Sequence, residues 1–170
     1  MDKIKWTVDE SQSSIIFDAN QVKGSFHSYE AVVESDPGSL VTANIAFMVD
    51  LNSIDTGDKN RDALLVSEEF FDVKKFPDMR FIANNILEHE EHQYELIGEF
   101  SLHGITRTES FYATFKGEAE NPDNPEKSSF KGNGTVKRSD YGLAEGESIQ
   151  GALAGDDVHF TLNIQLTKES

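Results

Sequence analysis

Val158-His159-Phe160-Thr161-Leu162-Asn163-Ile164-Gln165-Leu166-Thr167 carries an apolar residue at every second position. A strand with one face in a core and one in water demands this period, because successive side chains point to opposite faces. The pattern recurs upstream. Tyr94, Leu96, Phe100 and Leu102 alternate with Glu95, Ile97, Glu99 and Ser101, and Gly98 falls on the apolar side. Ala43, Ile45, Phe47, Val49 and Leu51 form another such face, and Ile15, Phe17 and Ala19, then Phe111, Ala113 and Phe115, two more. Turn signals divide these runs at Pro37-Gly38, at Asn84-Asn85 or the acidic stretch after it, at His103-Gly104 and through Asn121-Pro122-Asp123-Asn124-Pro125. About eight or nine strands result. They predict one all-β domain over residues 1–170, an antiparallel barrel or sandwich. Closure into a barrel removes exposed strand edges.

Residues 51–81 interrupt the alternation. Leu51-Asn52-Ser53-Ile54-Asp55-Thr56-Gly57 reads as a polar turn. A short helix is expected from about 59 to 65 with Asp58 as N-cap, and Phe70-Phe71 follows as an aromatic anchor. The segment therefore reads as a cap on the barrel, with Arg61 expected to hold the turn or Asp72 through charged hydrogen bonds. Residues 143–155, with Gly146, Gly151 and Gly155, read as a long loop.

The chain has 170 residues, enough for a real core, and no cysteine, which excludes disulfides and thiolate chemistry. Its formal charge of −16 argues against nucleic acid and against anionic membranes. No apolar run is long enough to span a bilayer. The opening Met1-Asp2-Lys3-Ile4-Lys5-Trp6 lacks the apolar stretch of a signal peptide, so the expectation is a cytoplasmic protein.

Polar clusters offer little chemistry. Ser53, Asp55, Thr56, Arg61 and Asp62 could be read as an active site, but no nucleophile–base pair lies nearby. The structural reading is that Asp55 and Thr56 bond free backbone amides of the turn and Arg61 pairs with a carboxylate. His89-Glu90-Glu91-His92 spaces its histidines three apart in an acidic hairpin, unlike the helical four of zinc proteases. His27, His103 and His159 stand singly. Gly132 and Gly134 flank Asn133 and mark a bend, or a place where a ligand passes close to the backbone. The expectation is neither metal nor cofactor, and no catalytic residue.

A series of segments runs nearly end to end: Trp6-Thr7-Val8-Asp9, Ser13-Ser14-Ile15-Ile16-Phe17, Gly24-Ser25-Phe26, Ser53-Ile54-Asp55-Thr56-Gly57, Arg61-Asp62, Phe70-Phe71-Asp72 and Pro77. The series continues with Gly98-Glu99-Phe100-Ser101-Leu102-His103-Gly104-Ile105-Thr106 and Lys137-Arg138-Ser139-Asp140-Tyr141-Gly142-Leu143. In order and spacing, these segments resemble the YceI-like family. The resemblance implies a lipocalin-like antiparallel β-barrel of about eight strands with a short capping helix. It also implies a lumen that holds an isoprenoid, a quinone tail or a fatty-acyl-type lipid. Two departures lie near where a ligand would enter: only Asp18 to Lys23 separate Phe17 from Gly24, and Leu64 stands where the family commonly has a histidine.

On that reading the lumen is lined by Phe17, Phe26, Ile45, Phe47, Val49, Phe81, Leu96, Phe100, Phe111, Phe115, Val136, Phe160 and Leu162, with Phe130 also facing inward. Lys23, Arg61 and Arg138 are the candidates for a ligand's polar head, although Arg138 has a simpler role in pairing with Asp140 or a neighbouring carboxylate to fix the loop. The partner is an apolar small molecule for carriage or sequestration. A homodimer is left open. The rival is a ligand-free interaction module using its acidic surface or cap; a lipid-directed enzyme ranks last.

Overall fold

The computed structural model describes residues 4–19, 22–36, 39–67, 71–115, 127–143 and 157–168. Eleven strands lie among them: β1 (Ile4–Val8), β2 (Ser14–Ala19), β3 (Val22–Phe26), β4 (Tyr29–Asp36), β5 (Ser39–Asp50), β6 (Ile54–Asp55), β7 (Asp78–Glu90), β8 (Gln93–Leu102), β9 (Ile105–Phe115), β10 (Lys127–Lys137) and β11 (Asp157–Lys168). Eight of them close a ring in the order β1-β4-β5-β7-β8-β9-β10-β11, because β1 pairs with both β4 and β11. All the pairings are antiparallel.

One edge of β11 is paired along its length with β10, and the other is shared between two neighbours. Its end, Leu166 to Lys168, pairs with β1 and seals the barrel, whereas His159 to Asn163 pair with β2. β2 leads into β3 and β6, which fold as a flap off the wall. The expected helix is α1 (Lys59–Val66), and Asp58 caps it by accepting from the backbone N–H groups of Asn60 and Arg61. Phe71, just beyond, is buried. Phe70 and the loop expected over most of 143–155 lie outside the described residues.

Alternation puts the apolar residues where a packed interior needs them. In β8, Tyr94, Leu96, Phe100 and Leu102 are buried, and in β5 so are Ile45, Phe47 and Val49. His103 and Gly104 both have positive φ, 56° and 77°, the backbone that a two-residue hairpin between β8 and β9 requires.

Asn84-Asn85 is not a turn. It sits inside β7, where the register with β8 shifts between Ala83 and Asn85, and the hairpin turn falls at Glu91-His92, in the acidic stretch that was the other expected place for it. The reason lies across the ladder. A Cβ on Gly98 would stand 2.0 Å from the Ile82 carbonyl oxygen, so only glycine lets the bulged strand close in.

Candidate apolar lumen and its seam

The interior of the barrel is a stack of aromatic rings. Phe100 lies at its centre, with ring centroids 5.8 Å from Phe111, 5.9 Å from Phe160 and 5.4 Å from Tyr141. Phe81 meets Phe111 edge-on at 4.8 Å, and Phe47 lies 5.7 Å from Phe130. Such offset and edge contacts add to what burial alone contributes.

Between these rings remains a cavity of about 50 Å³, with Ile15, Phe47, Val49, Phe81, Leu96, Phe100, Phe111, Phe130, Phe160 and Leu162 in its wall. Sites for drug-sized molecules run from about 300 to 1,000 Å³, so the rings in this conformation nearly fill the lumen. A second void of about 10 Å³, near Phe17, Phe71, Leu143 and Val158, continues the apolar interior toward the cap.

Of the residues expected to line the lumen, Phe17, Phe26, Ile45, Phe47, Val49, Phe81, Leu96, Phe100, Phe115, Val136 and Phe160 are buried, and Phe111 and Leu162 are partly so. Phe17 and Phe26 pack on one another at 5.5 Å in the flap side of the interior, and Phe115 packs on Trp6 at the other end. Met79 and Ala113 also reach the cavity. Both lie on the inward register of their strands, which is the signal that would have found them.

The three cations expected at a head group do not converge. Lys23 is exposed on β3 and Arg61 half-buried on α1, whereas Arg138 is 8% exposed at the end of β10. Asp140 lies 3.8 Å from Arg107, a cation outside that set of three. Nor does Arg61 hold the turn. Asp62 does, its Oδ1 accepting from the Thr56 N–H at 2.9 Å and from the Thr56 hydroxyl at 2.6 Å. Asp62 follows Arg61 on the helix and its shorter side chain reaches the turn directly.

His89 pairs with Glu95 at 2.7 Å and His27 with Asp55 at 3.1 Å. The Gly57 N–H, and then His27, hold the Asp55 carboxyl below its usual range. Among the described residues no three or more His, Asp or Glu side chains gather to hold a metal ion.

Among the described residues, one wall of the barrel is incomplete. The β9–β10 ladder runs from Phe115↔Phe130 to Tyr112↔Asn133 and stops. On their other sides β9 stays paired with β8 down to Ile105, and β10 with β11 down to Lys137. Side chains take over below the break. The Tyr141 hydroxyl donates to Glu109 Oε2, Arg107 faces Asp140, and a ring nitrogen of His103 lies 3.0 Å from the Tyr141 carbonyl oxygen.

The YceI-like domain model matches residues 6–166, nearly the whole barrel. The chain belongs to the YceI-like family. The UPF0312 protein of Staphylococcus aureus strain MSSA476 is 28% identical over 170 residues, covering 95% of this chain and 96% of that one. Among solved structures, Burkholderia cenocepacia BcnA superposes with a TM-score of 0.83 at 23% identity, over 94% of this chain and 99% of its own. A polyisoprenoid binding domain from Saccharophagus degradans, implicated in plant cell wall breakdown, superposes at 0.68 with 14% identity, over 96% and 98%. At these identities the two structures establish the shared fold.

Proposed function

We propose that this YceI-like barrel binds an apolar chain non-covalently in its lumen, an isoprenoid, a quinone tail or a fatty-acyl-type lipid, and carries or sequesters it without catalysis. The observation that carries this reading is the lumen wall, built almost wholly from phenylalanine and aliphatic side chains around an unfilled space. Its barrel architecture is shared with the Saccharophagus degradans domain, which adds support.

Burial supplies the affinity. Each CH₂ taken from water contributes about 0.8 kcal/mol, so one isoprene unit contributes roughly 3–4 kcal/mol. Two or three units bring the free energy to about micromolar binding after association costs. The rings must part to admit them, which reduces the net gain. Of the three candidate cations, Arg138 is the buried one, and it is the residue proposed to meet a polar head; Lys23 and Arg61 are assigned to the surface.

Native mass spectrometry of protein from its own host tests the reading. The expected result is a retained mass of a few hundred daltons, on the order of a drug-sized or lipid ligand, that organic solvent removes. A clean unliganded mass, together with no uptake of added isoprenoid alcohols, overturns it in favour of a packed interaction module.

A further inference from the structure

A chain bound in the lumen has to reach a cavity whose rings are packed together. The break between β9 and β10 supplies a route. Residues 105–111 of β9 and 134–137 of β10 keep their outer ladders but share no backbone pairing across the seam. The cavity meets this break, since Tyr112 and Asn133, the last bonded pair, and Gly132 next to Asn133 belong to its wall.

Phe111 lies across the inside of the seam. A Cβ built on Gly134 would stand 2.0 Å from a Phe111 ring carbon, so the ring occupies the notch that glycine leaves on the opposing strand. That ring also contacts Phe81 and Phe100 in the lumen and is only partly buried. One side chain therefore bars the seam and fills the cavity at once. Beyond it the seam is held by the Tyr141–Glu109 hydrogen bond and the solvent-exposed Arg107–Asp140 pair, which rotamer changes can release without breaking a ladder.

We propose that apolar chains enter and leave the lumen sideways, between β9 and β10, with Phe111 as the gate and Gly134 as the notch that seats it. The proposal rests on the lumen-binding reading. Swinging Phe111 out of the notch opens the wall and frees its volume for the ligand, so access and capacity change together. Gly134 thereby limits how bulky a chain passes.

Stapling the seam tests this. The chain has no cysteine, so Ser110→Cys with Thr135→Cys introduces a single possible cross-link. Continuing the register past Tyr112↔Asn133 sets these two positions opposite one another. A disulfide, or a short bis-thiol reagent where the gap is wider, joins them. All-trans-retinol is the probe, its fluorescence rising as it leaves water, and stopped flow reads uptake and release.

The expected result is that the staple slows uptake and release together by about tenfold or more with Kd unchanged, and that cleaving it restores both. Phe111→Ala is expected to speed both rates in the unstapled protein. Stapled protein that exchanges retinol as fast as its reduced form overturns the seam and sends the ligand through a barrel end, while the lumen reading stands. Wild-type protein that takes up no retinol or any other isoprenoid alcohol overturns the lumen reading and the gate with it.

Discussion

Tyr141 shows how much one residue can hold. It is fully buried, meets Phe100 edge-on and donates its hydroxyl to Glu109 across the seam. Desolvation, and then the Glu109 carboxylate, push its phenol far above the usual value. A folded-state value raised above the unfolded one contributes stability that is complete below the unfolded value of about 10 and lost as pH rises past it. Denaturant midpoints of the wild type should therefore fall steeply above about pH 10, and Tyr141→Phe should flatten that fall while costing roughly 1–3 kcal/mol near neutrality. Equal slopes in the two proteins would show that Tyr141 does not carry the alkaline limit. The motif around Tyr141 was visible in the sequence, but its partner was not, because Glu109 lies 32 positions away on another strand.

The elements divide by how local their determinants are. α1 was legible: Asp58 caps it by bonding backbone N–H groups two and three residues on, a purely local interaction. The His103-Gly104 hairpin was legible for the same reason. Of the two places offered for the next turn, the acidic stretch at Glu91-His92 holds it; Asn84-Asn85 stays in the strand, where a bulge faces Gly98 across the ladder. Asp62 was hidden behind the longer, more conspicuous Arg61. Removing the bonds it accepts from Thr56 gives the cap a test. Asp62→Ala should cost about 1–2 kcal/mol, lowering Tm by roughly 2–4 °C per kcal/mol for a chain of this length. Arg61→Ala should stay within about 0.5 kcal/mol of wild type. A reversed order in calorimetry would return the turn to Arg61.

At the scale of the whole molecule, charge and closure set the behaviour. A formal charge of −16 on one small barrel repels itself, a cost that salt screens over about 8 Å at physiological ionic strength. Tm should therefore rise as NaCl goes from a few millimolar to about 0.15 M. A flat or falling Tm would mean that the ion pairs at Arg80–Asp78, Lys137–Asp157 and elsewhere outweigh the repulsion. Most strands, their inward faces, the capping helix and the apolar character of the interior can be read along the chain, because alternation, turn residues and helix caps act between near neighbours. Folding in three dimensions sets the rest: that β11 serves both β1 and β2, that the β9–β10 ladder stops at Tyr112, and that the rings leave about 50 Å³ unfilled. These depend on which distant strands lie side by side and on small differences between large packed volumes, which no local pattern records.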